Sequence, residues 1–439
     1  MSRTALVVGL GRSGRAAAAL LARRGWTVVA CDGAAVEAPE LVAAGVEVRA
    51  PSLEPVPGVD LVVKSPGVPG AAPPVAAARA EGVPIWSEIE LAARELPNPL
   101  IAVTGTNGKT TTTELTAHLL RAAGREAVAC GNQGTPLAGL VDAVDPAAWL
   151  VVECSSFQLE DVHEFRPRGA ALLNLAPDHL DRHGDVAAYR AAKLRVFAAQ
   201  RPGDLAILPV GLAPPGDGSV RHVYEEAPGP DAAAWGADGL HVAGLGRVIG
   251  WEEVPLRGRH NRQNALAAAA LAAGAGAPAA GLAAGLASFR PVPHRLEPVG
   301  SAGGVAFVND SKATNPDAAL AALDAYDHGV HLIAGGRAKG TPFDGLAAAA
   351  RGAVVRAYLV GEAAPELAGA FARAGVPHER CGAVGEAVAR AAARARPGET
   401  VLLAPGCASF DQFSSYEERG DAFRAAARSA GAALSKAAP

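Results

Sequence analysis

Residues 101–112 read Ile-Ala-Val-Thr-Gly-Thr-Asn-Gly-Lys-Thr-Thr-Thr, and this stretch decides the fold. An apolar strand leads into a glycine-rich turn, a lysine and several hydroxyls, and the segment Glu114 to Arg121 has the pattern of a helix. Backbone N–H groups and a helix N-terminus attract phosphate, Lys109 adds a neutralising charge, and Thr110 offers a hydroxyl to the magnesium of a nucleotide. The strict phosphate-loop pattern requires glycine where the chain has Val103. The strand–loop–helix order nevertheless predicts a nucleoside triphosphate site, because an ordinary glycine-rich turn does not explain a lysine and three threonines at a helix start.

Length and composition bound the remaining possibilities. A chain of 439 residues predicts two to four domains. Half of the residues are hydrophobic and the formal net charge is −4, so we expect neither nucleic acid nor a membrane surface as a partner. We find no apolar run of membrane-spanning length, and the first residues lead into a strand rather than a signal peptide. The five scattered cysteines indicate reduced thiols in a cytoplasmic protein.

Short β-branched strands alternate with helices along the chain, which predicts three α/β domains with mostly parallel sheets. A linker at Leu96-Pro97-Asn98-Pro99 and a proline-rich joint at Pro291-Val292-Pro293 divide the chain. We therefore expect domains at residues 1–95, 96–291 and 292–439.

The turn from Gly9 to Gly14 matches the dinucleotide-binding fingerprint, and Asp32 closes the next strand where an acid would hold a ribose. Taken alone, this indicates a nicotinamide or flavin enzyme. The same turn serves any nucleotide diphosphate, because glycines and a helix N-terminus recognise phosphates rather than a base. A purely structural tight turn is the alternative.

Three further groups have open interpretations. Glu153 follows an apolar strand, where parallel sheets bind ligands, so it is a natural magnesium ligand beside the phosphate loop or else a solvated strand-end acid. The stretch Asp178-His179-Leu180-Asp181-Arg182-His183 is rich in ionisable groups, but its spacing alone favours a polar loop. Lys193, taken alone, is a solvated helix lysine.

Five more motifs follow in order along the chain. They are Arg259–Asn264 at a helix start, Pro293-His294-Arg295, Asn309–Pro316 between a strand and a helix, Gly335–Gly340 in a similar position, and Ala404–Phe413 after the last strand. Each motif alone is compatible with a loop that has no function, but the occurrence of all five in this order favours a functional interpretation.

This ordered set resembles the Mur ligase family across essentially the whole chain. The discriminating stretches are Ser155-Ser156-Phe157-Gln158-Leu159, Asn309–Asn315 and Cys407–Phe413. The resemblance implies an α/β fold of three domains: a Rossmann-like N-terminal domain, a central P-loop-type ATPase domain with a mostly parallel sheet, and a Rossmann-like C-terminal domain. It implies an ATP-dependent ligase of peptidoglycan precursor synthesis, which adds D-glutamate to UDP-N-acetylmuramoyl-L-alanine through an acyl phosphate.

The resemblance also implies residue roles. ATP would be bound by Gly105, Thr106, Asn107, Gly108, Lys109, Thr110, Thr111, Asn264, Arg295 and Asp310. The UDP-sugar would be bound by Gly11, Arg12, Ser13, Asp32, Gly67, Asn132 and Ser155, and D-glutamate by Lys312, Thr314, Lys339, Ser409 and Tyr416. Two magnesium ions would be held by Thr110, Glu153, His179 and Lys193, the last as a carbamate. Lys109, His179 and Lys193 would be the catalytic set.

Two departures from the family pattern concern ligand contacts. Tyr416 stands where Phe is usual, and the Arg12-Ser13 and Gly33-Ala34 pairs differ from familiar members, which affects the uracil and diphosphate contacts.

The family resemblance further implies a monomer. We also hypothesise that the third domain closes onto the second about the Pro291–Pro293 joint and excludes water from the acyl phosphate.

Three competing functions remain at this stage. A folylpolyglutamate synthase shares the phosphate loop but needs no N-terminal nucleotide-binding domain. An NAD-dependent oxidoreductase uses the Gly9–Gly14 turn but leaves Lys109 and Glu153 without a role. A non-catalytic nucleotide-binding regulator predicts binding without turnover.

Overall fold

A computed structural model describes residues 3–256, 258–290, 293–431 and 433–434. The chain divides into two compact units, Met1–Val254 with Gln263–Phe289 and Pro255–Arg262 with Arg290–Pro439. Residues 291 and 292, which carry the predicted domain boundary and most of the predicted joint, lie outside the described residues.

The first sheet is parallel throughout, with strand order β3-β2-β1-β4-β5. Its strands are β1 (Thr4–Val8), β2 (Thr27–Cys31), β3 (Glu47–Arg49), β4 (Leu61–Lys64) and β5 (Ile85–Ser87). Its helices are α1 (Arg12–Arg23), α2 (Pro39–Ala43), α3 (Pro73–Ala80) and α4 (Glu88–Glu95). Gly14 lets α1 pack on β1, since a Cβ there would lie 1.7 Å from the Gly9 carbonyl oxygen. The strand order changes direction between β1 and β4, so the turns after these two strands meet at one edge.

The second sheet has the order β14-β13-β12-β11-β10-β9-β6-β8-β7. Its strands are β6 (Leu100–Thr104), β7 (Ala127–Gly131), β8 (Trp149–Glu153), β9 (Gly169–Leu172), β10 (Leu205–Ile207), β11 (Ser219–Tyr224), β12 (Ala232–Trp235), β13 (Leu240–Val242) and β14 (Gly246–Ile249). The helices of this part of the chain are α5 (Lys109–Ala122), α6 (Ser156–Leu159), α7 (Leu180–His183), α8 (Val186–Leu194), α9 (Arg259–Gly274) and α10 (Ala279–Ser288). Strands β7 to β12 pair in parallel, while β12, β13 and β14 are antiparallel.

The third sheet has the order β19-β18-β17-β20-β16-β15-β21. Its strands are β15 (Glu297–Ala302), β16 (Val305–Asn309), β17 (Val330–Gly335), β18 (Val354–Val360), β19 (His378–Arg380), β20 (Thr400–Leu403) and β21 (Ala433–Leu434). Its helices are α11 (Pro316–Leu323), α12 (Asp344–Ala353), α13 (Ala364–Ala374), α14 (Val384–Arg394) and α15 (Tyr416–Ser429). Strands β16 to β20 are parallel, and β15 pairs antiparallel with β16 and β21.

The structure confirms the predicted α/β fold with mostly parallel sheets and corrects two helix starts. Helix α5 begins at Lys109 rather than at Glu114, because buried threonines occupy its first turn and do not show a helical pattern in sequence. The Gly335–Gly340 stretch does not open a helix, since α12 begins only at Asp344. All five cysteines are buried thiols, and no described helix has the length and apolarity that a bilayer span requires.

Candidate active site

The phosphate loop connects β6 to α5 and is shaped by two glycines. Gly105 and Gly108 have φ of +152° and +86°, conformations that other residues rarely adopt. Lys109 folds back over the loop and donates from Nζ to the carbonyl oxygens of Gly105 and Thr106, each at 2.9 Å. Asn264 lies directly against the loop, because a Cβ on Gly108 would come within 2.3 Å of its Oδ1. The structure therefore brings Lys109 and Asn264, both predicted to bind ATP, to one loop.

Glu153 ends β8, the strand beside β6, and its carboxylate is held next to the loop. Thr110 Oγ1 donates to Glu153 Oε2 at 2.7 Å, and Asn132 Nδ2 donates to Oε1 at 2.8 Å. The Glu153 side chain is 2% exposed, and both donors are neutral. A buried carboxylate with neutral donors and a neighbouring hydroxyl is a set of oxygen ligands that suits magnesium. This arrangement joins residues predicted separately for the metal and for the UDP-sugar.

His179 lies at the N-terminus of α7 with a left-handed φ of +53°. Its ring meets the edge of the Phe157 ring at 5.0 Å between centroids, and its Nε2 lies 3.7 Å from Asp178 Oδ2. Among the described residues, no three His, Cys, Asp or Glu side chains come together as a metal cluster, and the predicted set contains only two residues of these types. A role of His179 as a metal ligand therefore stays a prediction.

Lys193 is buried, contrary to its interpretation from sequence alone as a solvated lysine. Its side chain is 2% exposed, and Nζ donates to the Gly105 carbonyl oxygen at 2.9 Å and lies 4.6 Å above the Tyr189 ring centroid. Burial, and then the nearby charge of Lys109, lowers its pKa well below the ordinary value for lysine. A lowered pKa increases the neutral fraction of the amine, and the neutral amine is the form that reacts with carbon dioxide.

The residues predicted to bind the UDP-sugar lie at the adjoining edge of the first sheet. Asp32 accepts a hydrogen bond from the backbone N–H of Leu10 in the glycine-rich turn (2.7 Å) and one from the N–H of Ala34 in the loop after β2 (2.9 Å), so its carboxylate connects the two loops. The sequence left a purely structural tight turn open as the alternative to a nucleotide-phosphate role, and the Leu10 contact gives Asp32 a part in stabilising that turn. Ser155 caps α6 through a reciprocal pair of hydrogen bonds with Gln158.

Other members of the predicted UDP-sugar set lie at the surface of this edge. Gly11 precedes α1 as its N-cap, Ser13 is half-buried, and Arg12 reaches the carbonyl oxygen of Gly134 at 3.4 Å. Gly67 is exposed and accepts a hydrogen bond from Arg182. Hydrogen bonds from Arg12 and Arg182 therefore connect the loops at the edges of the first and second sheets.

In the second compact unit, the residues predicted to bind glutamate lie on the loops after β16 and β20 and near β17. Lys339 Nζ donates to Thr314 Oγ1 at 3.3 Å, and Lys312 Nζ lies 3.9 Å above the Tyr416 ring centroid. Ser409 is 2% exposed. The structure thus pairs the two predicted lysines with two of their predicted neighbours.

Asp310 is buried in the same unit and accepts a hydrogen bond from the Leu296 N–H at 3.0 Å. Burial raises the pKa of its carboxyl to about 6, against a smaller opposing effect of that hydrogen bond and of Arg295. Arg295 and Asp310, both predicted to contact ATP, are therefore close enough to interact electrostatically.

Sequence reasoning missed Arg419, which lies in the first half of α15. Its guanidinium donates to Ser311 Oγ (3.0 Å), to the Ser311 carbonyl oxygen (2.8 Å) and to the Cys407 carbonyl oxygen (3.0 Å). It is 2% exposed, and burial lowers its pKa to about 10. Arg419 thereby joins the two loops that carry Lys312 and Ser409. An arginine among charged helix residues gives no sequence signal for this role.

Family models match three successive parts of the chain. Residues 3–87 match the Mur ligase MurD-like N-terminal domain, residues 103–213 the Mur ligase middle domain, and residues 294–407 the Mur ligase glutamate ligase domain.

Curated relatives match over nearly the full length. The chain is 45% identical to the UDP-N-acetylmuramoylalanine–D-glutamate ligase of Myxococcus xanthus, with 95% of this chain and 96% of the relative covered. It is 46% identical to the protein of the same name from Anaeromyxobacter dehalogenans, with the same coverage. Among solved structures, the UDP-N-acetylmuramate–alanine ligase MurC of Thermotoga maritima superimposes with a TM-score of 0.59 at 20% identity, covering 98% of this chain and all of that one. This last similarity concerns the fold alone.

Proposed function

The chain belongs to the Mur ligase family, and we propose that it is the ligase that adds D-glutamate to UDP-N-acetylmuramoyl-L-alanine in peptidoglycan precursor synthesis. The full-length identity to ligases of that name supports this function. The structural observation that carries it is the hydrogen-bonded group of Thr110, Glu153 and Asn132 beside the phosphate loop. It unites a triphosphate site, a carboxylate suited to a metal and a residue of the predicted sugar-nucleotide set.

The reaction must activate a carboxylate, which is a poor electrophile and carries the same charge as the γ-phosphate of ATP. Lys109 and the backbone N–H groups of its loop neutralise the transferred phosphoryl group. Two magnesium ions, held by Thr110, Glu153, His179 and carbamylated Lys193, would supply further neutralisation and align the two reacting groups. The alanyl carboxylate attacks the γ-phosphorus, ADP leaves, and the amine of glutamate then displaces phosphate from the acyl phosphate to form the amide.

The environment of Lys193 supports its carbamylation. Its neutral amine would attack carbon dioxide, a C–N bond would form, and a proton would leave to solvent. The product has two oxygens and a negative charge in place of a cation, so it changes Lys193 from a residue that repels magnesium into one that binds it. The Gly105 carbonyl already accepts a hydrogen bond from this nitrogen.

The incoming glutamate carries two carboxylates, and the second compact unit offers cations for them. We assign one carboxylate to Lys339 with Thr314, whose amine and hydroxyl lie 3.3 Å apart. Lys312 above Tyr416 and the buried Ser409 complete the proposed pocket. Tyr416 keeps the aromatic face that the family pattern requires, although its hydroxyl is an addition.

The three domains would divide the substrates between them. We propose that residues 1–95 bind the UDP-sugar, residues 96–291 bind ATP, and residues 292–439 bind the amino acid. We further propose a monomer that works in the cytoplasm, where ATP and sugar nucleotides are available, without nucleic acid or membrane as a partner. Light scattering and cell fractionation test these two statements.

The first experiment measures phosphate release from ATP in the presence of UDP-N-acetylmuramoyl-L-alanine with D-glutamate, L-glutamate or no amino acid. We expect release that requires both the sugar nucleotide and D-glutamate. Release with L-glutamate alone would contradict the proposed chirality. ATP binding without release for any of these acceptors would contradict the ligase assignment and favour a regulator.

A further inference from the structure

A buried lysine lies directly before the Ser65-Pro66-Gly67 loop. Lys64 is the last residue of β4, and its side chain is 1% exposed. Its Nζ lies 2.9 Å from Glu160 Oε2 and 3.0 Å from Asp161 Oδ2. Both acids directly follow α6, which belongs to the second sheet's part of the chain. A charge at this depth is tolerated because it is paired, so the ion pairs fix the end of β4 relative to α6.

Glu160 extends this pairing to α7. Its second oxygen, Oε1, lies 3.4 Å from His183 Nδ1, and the Nε2 of His183 lies 2.9 Å from Ser156 Oγ. Helix α7 starts directly after His179, and α6 starts three residues after Glu153. The same carboxylate therefore contacts Lys64 and a residue on the helix that follows the proposed metal ligand His179.

Arg182 holds the other end of the Ser65–Gly67 loop. Its Nη1 and Nη2 donate to the carbonyl oxygens of Gly67 (3.3 Å) and Val68 (3.1 Å). Its guanidinium lies 4.5 Å above the Phe157 ring, which also stacks on His183 at 5.1 Å between centroids. The loop is thus attached at both ends to α6 and α7, the two short helices that follow Glu153 and His179.

We propose that Lys64 and Glu160 are positioning residues that couple sugar-nucleotide binding at the Ser65–Gly67 loop to the placement of the metal ligands Glu153 and His179. A ligand that fixes this loop also fixes α6 and α7 through the buried ion pair, so the metal then binds more tightly. Because coupling is reciprocal, the metal tightens sugar-nucleotide binding by the same factor. This inference rests on the proposed function.

The test measures metal affinity rather than turnover. Mn²⁺ is titrated into the full chain without ATP or glutamate, with and without UDP-N-acetylmuramoyl-L-alanine, and free Mn²⁺ is followed by electron paramagnetic resonance. In the wild type we expect the sugar nucleotide to tighten Mn²⁺ binding by about fivefold or more. In Glu160→Gln we expect the sugar nucleotide to tighten Mn²⁺ binding by about twofold or less. The Mn²⁺ affinity of this variant without the sugar nucleotide should stay within about twofold of the wild type. Lys64 keeps Asp161 as a partner in this variant, so we expect it to fold.

Glu164→Gln is the matched control. It makes the same substitution four residues further on, where Glu164 is paired with Arg94 at 3.0 Å and its side chain is 71% exposed. We expect it to keep the coupling of the wild type. A second variant, Lys64→Met with Glu160→Gln and Asp161→Asn, removes all three charges together and leaves none buried alone. We expect it to lose the coupling as Glu160→Gln does.

Three results would overturn the inference. They are full coupling in Glu160→Gln or in the triple variant, equal weakening of Mn²⁺ binding with and without the sugar nucleotide, and a wild type in which the sugar nucleotide binds without changing Mn²⁺ affinity. Calorimetry of the sugar nucleotide alone separates the two proposals. If it does not bind the wild type, the proposed function fails together with the inference, whereas binding without coupling rejects the inference only.

Discussion

The hydroxyl of Thr110 donates a 2.7 Å hydrogen bond to the carboxylate of Glu153. The two residues are 43 positions apart in sequence, but β6 and β8 are parallel neighbours in which Val103 is paired with Glu153. The carboxyl ends of these strands therefore place an acid beside the residue that follows the loop lysine. Two of the proposed metal ligands are therefore held next to each other by a direct hydrogen bond.

The Thr110 hydroxyl can be tested against a neighbour on the same helix. We expect Thr110→Val to raise the magnesium requirement and to lower kcat/KM by about 100-fold, because it removes a proposed metal ligand and a donor to Glu153. The measurement is steady-state phosphate release over a magnesium titration.

Thr113→Val is the matched control for Thr110→Val. The buried Thr113 hydroxyl has no hydrogen-bond partner among the described residues. Replacing it should leave kcat/KM unchanged and alter the free energy of unfolding by no more than about 1 kcal/mol. Equal activity loss in both variants would mean that the helix as a whole is responsible, and not the Thr110 hydroxyl.

Carbamylation of Lys193 predicts a direct spectroscopic signal. In protein equilibrated with ¹³C-bicarbonate we expect a carbamate carbon resonance that Lys193→Met lacks. Because the pKa of Lys193 is lowered well below the ordinary value for lysine, its amine becomes neutral and reactive at a lower pH than an exposed lysine, so the resonance should appear at a pH at which exposed lysines are still protonated. A spectrum without this resonance in the wild type at saturating bicarbonate would reject the modification.

The fold followed from the sequence where local pattern and tertiary packing agree. β-branched strands such as β1 and β4 are buried on both faces and appear as short apolar runs, so their parallel pairing was predictable. The position at which α5 starts was not predictable, because four consecutive threonines have low helix propensity and are helical here through burial. The antiparallel strands β12 to β14 were also missed, since the alanine-rich segment 232–235 lacks the composition of a strand.

The candidate site was predictable to the extent that its residues lie in motifs. Glu153 follows an apolar strand and Lys109 follows a glycine-rich loop, so sequence order indicates that both lie at one edge of a parallel sheet, whereas Asn132 was assigned only through the family resemblance. The burial of Lys193 was not predictable, because the residue lies on a helix in which Arg190, three residues earlier, is exposed. Arg419 was missed for the same reason. Which side chain of a helix is covered depends on neighbours from distant parts of the chain.

Arg419 predicts a selective effect on glutamate binding. Lysine at this position donates from a single nitrogen and lacks the planar guanidinium with which Arg419 reaches Ser311 and Cys407, so the connection between the two loops carrying Lys312 and Ser409 is weakened. We expect Arg419→Lys to raise the KM for glutamate by about tenfold or more, while the KM for UDP-N-acetylmuramoyl-L-alanine stays within about twofold. Arg428→Lys, on the exposed side of the same helix, is the control. An equal rise in both KM values would indicate general loosening instead.

Glu88 predicts a pH-dependent stability. Its side chain is fully buried at the start of α4, Oε1 accepts a hydrogen bond from the Ala138 N–H, and Oε2 has no partner among the described residues. Burial raises its pKa from 4.5 to about 7, against the smaller opposing effect of that hydrogen bond. The folded state therefore holds the proton more tightly than the unfolded state. The resulting stabilisation is complete below pH 4.5 and is lost as the pH rises through about 7.

The full effect amounts to about 3 kcal/mol. Glu88→Gln carries a neutral isostere of the protonated acid and should lack this pH dependence. Its free energy of unfolding, relative to that of the wild type, should therefore rise by about 2–3 kcal/mol when the pH is raised from about 5 to about 8. Urea unfolding at these two pH values measures the change, and the exposed Glu81→Gln reports the general effect of deleting one carboxylate. A stability difference between Glu88→Gln and the wild type that is the same at both pH values would mean that Glu88 does not hold its proton in the folded protein.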